Sequence, residues 1–261
     1  MIDLLTPAGE RLLEAALAAR PVLVLDFDGT IAPLVDRPDQ AALHPDALDL
    51  IAPLRARLPV AIVSGRGLDD LRARFPLDGV TLVGNHGNEW APGEAPAGSG
   101  DFDEARSRAI CAEWARTLAG PLAHFGPGLL FEPKTVSLSI HYRLVRDPAA
   151  ARQQLLELIG QLSPAPELIE GKLVFNLLAP GLATKFEAIA ALVRRHDAGT
   201  AIFVGDDVTD ERAFERAPPE WLTVRVWDNE VAGGSSARTA VTRVEGVLAL
   251  LARIGAVVKH R

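Results

Sequence analysis

"VLVLDFDGT" at residues 22–30 sets four apolar residues, Val22 to Leu25, directly before two aspartates that flank one phenylalanine. An apolar run with no polar alternation suits a strand covered on both faces, as in parallel sheets. Alternate side chains of an extended chain share a face, so Asp26 and Asp28 are expected to point the same way, with Cα atoms about 6–7 Å apart. With the carboxylates about 5 Å apart and an effective dielectric near 20, their repulsion is on the order of 3 kcal/mol. A bound cation is the simplest compensation.

Working outward, similar apolar runs recur and are followed by polar turns: "PVLVLD" (21–26), "PVAIVSG" (59–65), "VTLVGNHG" (80–87), "AIFVGDD" (201–207) and "WLTVRV" (221–226). Amphipathic text such as "DALDLIAPLRARL", "LDDLRARF", "KFEAIAALVRRH" and "VEGVLALLARIG" accompanies them. That alternation predicts an α/β fold, a doubly wound parallel sheet with helices on both faces. Pro53 is expected to kink or split the first of these helices.

The middle of the chain departs from this rhythm. "APGEAPAGSGD" (91–101) has linker composition. A helix from about Asp103 to Leu118, strand text in "TVSLSIHYR", a helix near "PAAARQQLLELIG" and strands around "PELIE" and "KLVFNLL" then predict an αββαββ insert. The expected organisation is a core in two parts, 1–101 and 179–261, interrupted by an α+β cap domain at 102–178.

A chain of 261 residues, 48% hydrophobic and 23% charged, can bury a sizeable core in one large or two smaller domains. Its net charge of -7 argues against nucleic acid or an anionic membrane as partner. The lone Cys111 excludes an intrachain disulfide and suits a reduced, cytoplasmic setting. Glu10, Arg11 and Glu14 interrupt the apolar core that a signal peptide needs, whereas Thr6 followed by Pro7 is a helix-start signal. A monomer or weak dimer is expected.

In open α/β sheets, ligands bind beyond the carboxyl ends of the strands. "DFDGT", "SGR", "GNHG" and "GDDVTDE" all follow apolar runs, so they should converge there. Asp206, Asp207 and Asp210 would join Asp26 and Asp28 in an all-oxygen site suited to Mg²⁺. Taken alone, "GDDVTDE" also reads as a solvated acidic helix start. Ser64 reads as a turn residue or as a phosphate-binding hydroxyl next to backbone N–H groups. "TKFE" (184–187) has capping-box spacing, which puts Lys185 in the first turn of a helix. The helix dipole disfavours a cation there, so Lys185 is expected to face an anion.

In that order, "DFDGT", "SGR", a lysine and "GDDVTDE" resemble the four motifs of the haloacid dehalogenase superfamily, over roughly 21–90 and 180–230. The resemblance implies that Asp26 attacks phosphorus and forms an aspartyl-phosphate, while Asp28 protonates the leaving oxygen and then activates water. It implies that Thr30, Ser64 and Gly65 hold phosphate oxygens, with Lys185 orienting the nucleophile. Mg²⁺ would sit on Asp26, the Asp28 carbonyl and Asp206, supported by Asp207 or Asp210.

"DFDGTIAP", "GNHGNE" and "FEPKTVSLSIHYR" further resemble the trehalose-6-phosphate phosphatases, and this resemblance takes in the insert. It implies hydrolysis of trehalose 6-phosphate under a cap whose polar residues bind the sugar. The substrate-binding candidates are Arg66, His86, Glu132, Lys134, Arg143 and Asn176, with His86 also readable as a turn residue. Another sugar phosphate or pseudo-disaccharide phosphate, or a catalytically silent sugar-phosphate sensor, stays open. The chain departs from the family pattern at "NLLAP", where Leu177 and Ala179 stand in place of glutamate and arginine, and at Phe186 in place of glycine. If trehalose 6-phosphate is the substrate and the strand keeps the family register, Leu177 is expected to face sugar hydroxyls without accepting a hydrogen bond, so that one acceptor is lost unless Asn176 or Glu170 compensates.

Overall fold

The structure is a computed structural model, in which residues 1–95, 104–228 and 234–259 are described. They form two compact units, Met1–Pro96 with Ala183–Arg261, and Ala97–Leu182. The chain opens with β1 (Ile2–Asp3), α1 (Pro7–Ala18), β2 (Pro21–Leu25), α2 (Ala47–Leu54), β3 (Val60–Val63), α3 (Leu68–Arg74), β4 (Thr81–Gly84) and β5 (Glu89–Trp90). The second unit contributes α4 (Glu104–Ala123), β6 (Leu130–Pro133), β7 (Ser137–His141), α5 (Pro148–Ile159), β8 (Glu167–Gly171) and β9 (Val174–Leu178). The first unit resumes with α6 (Lys185–Arg195), β10 (Thr200–Gly205), α7 (Val208–Arg216), β11 (Leu222–Trp227), β12 (Thr239–Thr242) and α8 (Arg243–Lys259).

The first unit's sheet has the order β1-β12-β11-β10-β2-β3-β4-β5 and is parallel except for the β4–β5 pair. β2 is central, and all five of its residues are buried. Leu23 and Leu25 enter one apolar cluster with residues of α1, α2 and α8, while Val22 and Val24 enter another with residues of α6 and α7. Covering both faces is why the run shows no alternation. From β2 the chain builds β3 and β4 on one side and β10 to β12 on the other. The order therefore reverses between β2 and β10, and a crevice opens beyond their carboxyl ends.

Local signals act as expected at two helix starts. Thr6 Oγ1 accepts the Gly9 N–H at 3.3 Å with Pro7 at the first position of α1, and Thr184 and Glu187 cap α6. Pro53 lacks the N–H that would continue the ladder, and α2 stops one residue later, short of the helical text that runs to Leu58. The short strands β1, β5 and β12 have two to four residues each, too few to carry a periodic signal.

The second unit has the order αββαββ and an antiparallel sheet, β6-β7-β9-β8. Leu138, Ile140, Phe175 and Leu177 pack with Trp114 and Leu118 of α4 and Leu155 and Ile159 of α5. Of the linker text, 91–95 is described and the rest of 91–101 lies outside the described residues. Among the described residues no helix is long and apolar enough to cross a membrane.

Candidate active site

β2 delivers Asp26, whose N–H continues the sheet ladder to the Val204 carbonyl at 2.9 Å. The chain then turns sharply, as the Phe27 carbonyl accepts from the N–H groups of Thr30, Ile31 and Ala32 at 2.9–3.3 Å. Gly29 permits the turn at φ 72°, and a Cβ there would lie 2.2 Å from an Asp206 carboxylate oxygen. No other residue type fits without displacing Asp206. The Thr30 side chain is fully buried, and among the described residues its hydroxyl has no hydrogen-bond partner. A buried hydroxyl of this kind calls for an outside acceptor.

Asp26, Asp206 and Asp210 come together as a buried cluster with oxygens within 4.8 Å of one another. Lys185, the first residue of α6 and 2% exposed, sets its Nζ 2.9 Å from Asp26 Oδ1 and 2.7 Å from Asp210 Oδ1. The anions expected opposite Lys185 are thus the protein's own carboxylates. Burial by itself disfavours the ammonium, but Asp210 and Asp26 outweigh it and hold the lysine proton above its usual affinity. Burial raises the Asp26 carboxyl well above the usual carboxylate range; Lys185 opposes this, and Asp210 and Asp206 add to it.

Three carboxylates against one ammonium leave two negative charges, which a hard dication would neutralise. The donors are oxygens only, so the residues fit Mg²⁺. Asp210 is heavily engaged already: its Oδ2 accepts the N–H groups of Asp206 at 3.0 Å and Asp207 at 2.9 Å, and its Oδ1 faces Lys185. That arrangement makes Asp210 a brace for the loop, while Asp207 is the N-cap of α7.

The two aspartates of "DFD" have separate cations. Asp28 is gripped bidentately by Arg66, with Nε 2.7 Å from Oδ2 and Nη2 2.8 Å from Oδ1. A bound cation, the simplest compensation expected for the pair, is therefore joined by two the protein supplies itself, because Arg66 and Lys185 each provide a counter-charge. The guanidinium of Arg66 also donates to Asp70 at 2.7 Å and to the Pro38 carbonyl at 3.0 Å, which occupies the fork expected to meet substrate.

Ser64 and Gly65 follow β3. Ser64 Oγ accepts the Arg66 N–H at 3.2 Å, and the loop is tied down by "GNHG", where His86 N–H donates to the Ser64 carbonyl at 2.9 Å and Asn85 N–H to that of Arg66 at 2.6 Å. A Cβ on Gly65 would lie 2.5 Å from a carbon of the buried His86 ring, so any larger residue there would have to displace that ring.

In the second unit, Glu132, Ser139 and Asn176 are successive cross-strand partners on one sheet face. Ser139 Oγ donates to Asn176 Oδ1 at 2.7 Å, His141 Nε2 lies 3.3 Å from Glu132 Oε2, and Lys134 Nζ lies 3.9 Å from the same oxygen. Arg143 instead donates to the Lys172 carbonyl at 3.1 Å. Leu177 is on the opposite face, fully buried in the apolar cluster, as is Ala179 within it. The expectation that Leu177 faces sugar hydroxyls is corrected by this register. Glu170 is held by Arg152 at 2.6 Å.

Two charged groups were missed. Asp70 on α3 links Arg66 to Arg74, whose Nε lies 2.9 Å from it, an i,i+4 spacing legible in "DLRAR". Arg225, the one charge in the strand "WLTVRV", donates to the Asp207 carbonyl at 2.9 Å and so steadies the acidic loop.

A family model described as trehalose-phosphatase matches residues 24–241. An uncharacterized glycosyl hydrolase of Mycobacterium tuberculosis is 35% identical over 231 residues, 84% of this chain and 17% of the relative. A trehalose-phosphate phosphatase of the same organism is 32% identical over 227 residues, 82% of this chain and 56% of the relative. The chain thus spans only part of the curated relatives it matches. Among solved structures, a trehalose-6-phosphate phosphatase related protein superposes with TM-score 0.72 at 25% identity, covering 92% of this chain and all of that one. The C-terminal domain of the Candida albicans trehalose-6-phosphate phosphatase has TM-score 0.70 at 20% identity, covering 95% and 96%, and shares the fold.

Proposed function

The chain belongs to the trehalose-phosphatase family, and from that premise we propose that it is a Mg²⁺-dependent phosphatase hydrolysing trehalose 6-phosphate through an aspartyl-phosphate on Asp26. The observation that carries this reading is the buried Asp26 at the carboxyl end of β2, paired with Lys185 and clustered with Asp206, with the Thr30 hydroxyl on the same loop buried and, among the described residues, without a hydrogen-bond partner.

An Asp26 oxygen attacks phosphorus, the bond from phosphorus to the sugar oxygen breaks, and the Asp28 carboxyl gives its proton to that oxygen. Water then attacks phosphorus and passes a proton to Asp28, and the Asp26–phosphorus bond breaks to release phosphate. Lys185 orients Asp26, and Thr30, Ser64 and Gly65 bind phosphate oxygens. Asp26, Asp206 and the Asp28 carbonyl would hold Mg²⁺, which when bound would supply positive charge at the phosphoryl group. Asp210 braces the loop that presents Asp206, with Asp207 supporting it. Glu132, Lys134 and Asn176 form the sugar-recognition face of the inserted cap. The structural contacts of His86 and Arg143 favour supporting roles over substrate contact. The protein works in the cytoplasm as a monomer or weak dimer.

A second reading, a phosphatase for another sugar phosphate or pseudo-disaccharide phosphate, is favoured by Leu177 and Ala179, which are apolar and buried where the family pattern carries charge. Phosphate release from a panel of sugar phosphates, with Mg²⁺ and after chelation, separates the two. The expected result is a Mg²⁺-dependent kcat/KM for trehalose 6-phosphate well above that for glucose 6-phosphate. Equal values favour the second reading, and no release from any ester overturns both.

A further inference from the structure

We propose that Arg66 is a positioning residue for the Asp28 proton transfers, fixing the plane of that carboxylate, and not a ligand of the substrate; this rests on the phosphatase reading above. The geometry is specific. Nε and Nη2 of one guanidinium edge meet the two Asp28 oxygens at 2.7 and 2.8 Å, a paired contact that defines a carboxylate plane where a single bond leaves it free to rotate. Each oxygen accepts one of these hydrogens and keeps a further lone pair for the travelling proton. Asp28 remains 34% exposed at its side chain while Arg66 is only 11% exposed, so the carboxyl is held and still accessible.

Arg66 is itself fixed from every side. Nη1 donates to Asp70 at 2.7 Å, Nη2 to the Pro38 carbonyl at 3.0 Å, and the guanidinium carbon lies 5.5 Å from the centre of the Phe27 ring. Asp70 is braced in turn by Arg74, whose Nε is 2.9 Å from both of its oxygens. The backbone of Arg66 is tied through its carbonyl to Asn85 N–H at 2.6 Å. A chain of charged contacts thus runs from α3 to the residue two positions after the nucleophile. Lysine cannot reproduce it, since an ammonium has no planar fork.

Asp28 protonates the leaving oxygen in the first step and takes a proton from water in the second. A good leaving group such as p-nitrophenolate departs without a proton, whereas a sugar alkoxide does not. Misplacing Asp28 therefore slows both steps for a sugar phosphate but only the second for p-nitrophenyl phosphate.

The test compares wild type, Arg66→Gln, Arg66→Lys and Asp70→Asn, all checked for native circular dichroism and an unchanged melting temperature. For Arg66→Gln we expect kcat on trehalose 6-phosphate to fall about 100-fold with little change in KM, within the range that acid–base groups contribute. With p-nitrophenyl phosphate the same variant should give a rapid burst of about one p-nitrophenolate per active site and then slow turnover. Arg66→Lys should recover part of the kcat, and Asp70→Asn should show the same pattern more weakly. A raised KM for both esters at unchanged kcat would assign Arg66 to the substrate phosphate and overturn the proposal. Equal kcat losses on both esters without a burst would also overturn it, and the phosphatase reading would stand because the wild type turns over. A wild type inactive on every ester would overturn that reading, and the proposal with it.

Discussion

Asn176 and Leu177 are neighbours in β9 yet serve opposite faces of the inserted sheet. Asn176 accepts the Ser139 hydroxyl at 2.7 Å on the polar face, while Leu177, with no exposed surface, is packed in the apolar cluster beneath. The period of two along a strand makes this pairing unavoidable once the register with β7 is set.

Leu177→Glu is therefore expected to destabilise the inserted unit by at least about 3 kcal/mol, because it places an unpaired carboxylate in an apolar core. Chemical denaturation followed by tryptophan fluorescence measures it, with Trp114 in the same cluster as reporter. A variant as stable as the parent, with enhanced turnover of trehalose 6-phosphate, would restore the idea that this position faces sugar.

Binding of a divalent cation should be visible without catalysis. Magnesium at 100 times its dissociation constant stabilises the state that binds it by about 2.7 kcal/mol, which appears as a rise in melting temperature. Asp206→Asn should abolish that rise, since it removes one of the buried carboxylates of the cluster. A cation-induced rise of equal size in the variant would place the ion elsewhere.

The two aspartates of the first loop should fail differently. On the proposed mechanism Asp26→Asn removes the nucleophile, so no phosphoenzyme should form from any ester. Asp28→Asn retains the nucleophile and should trap phosphoenzyme from p-nitrophenyl phosphate, with steady-state turnover down by about 10²–10⁴. Acid-quench labelling with ³²P-phosphoester distinguishes the variants, and wild-type turnover in either contradicts its assigned role.

Gly29→Ala tests the close approach of the two central loops. A methyl group at φ 72° and 2.2 Å from Asp206 must push that carboxylate aside. Both the magnesium-induced rise in melting temperature and more than about 99% of turnover should be lost, the scale seen when a small displacement breaks reactive alignment. Retention of both would mean that the Asp206 position is not critical.

Much of the fold was legible because it depends on local or periodic text. The unalternating "VLVL", the repeated apolar runs and the helix starts at Thr6 and Thr184 are properties of neighbouring residues, and they were enough for a parallel sheet, the αββαββ order of the insert and the loops that carry Asp26, Ser64, Lys185 and Asp206. Partner choice was not legible in the same way. That Arg66 grips Asp28 across 38 residues, that Lys185 bridges Asp26 and Asp210, and that Leu177 turns inward while Asn176 turns to the polar face are consequences of strand order and register. A charge in a sequence carries its sign but not its neighbour. Only the packing of β2 between β3 and β10, which brings distant loop ends within hydrogen-bonding distance, decides which charges meet.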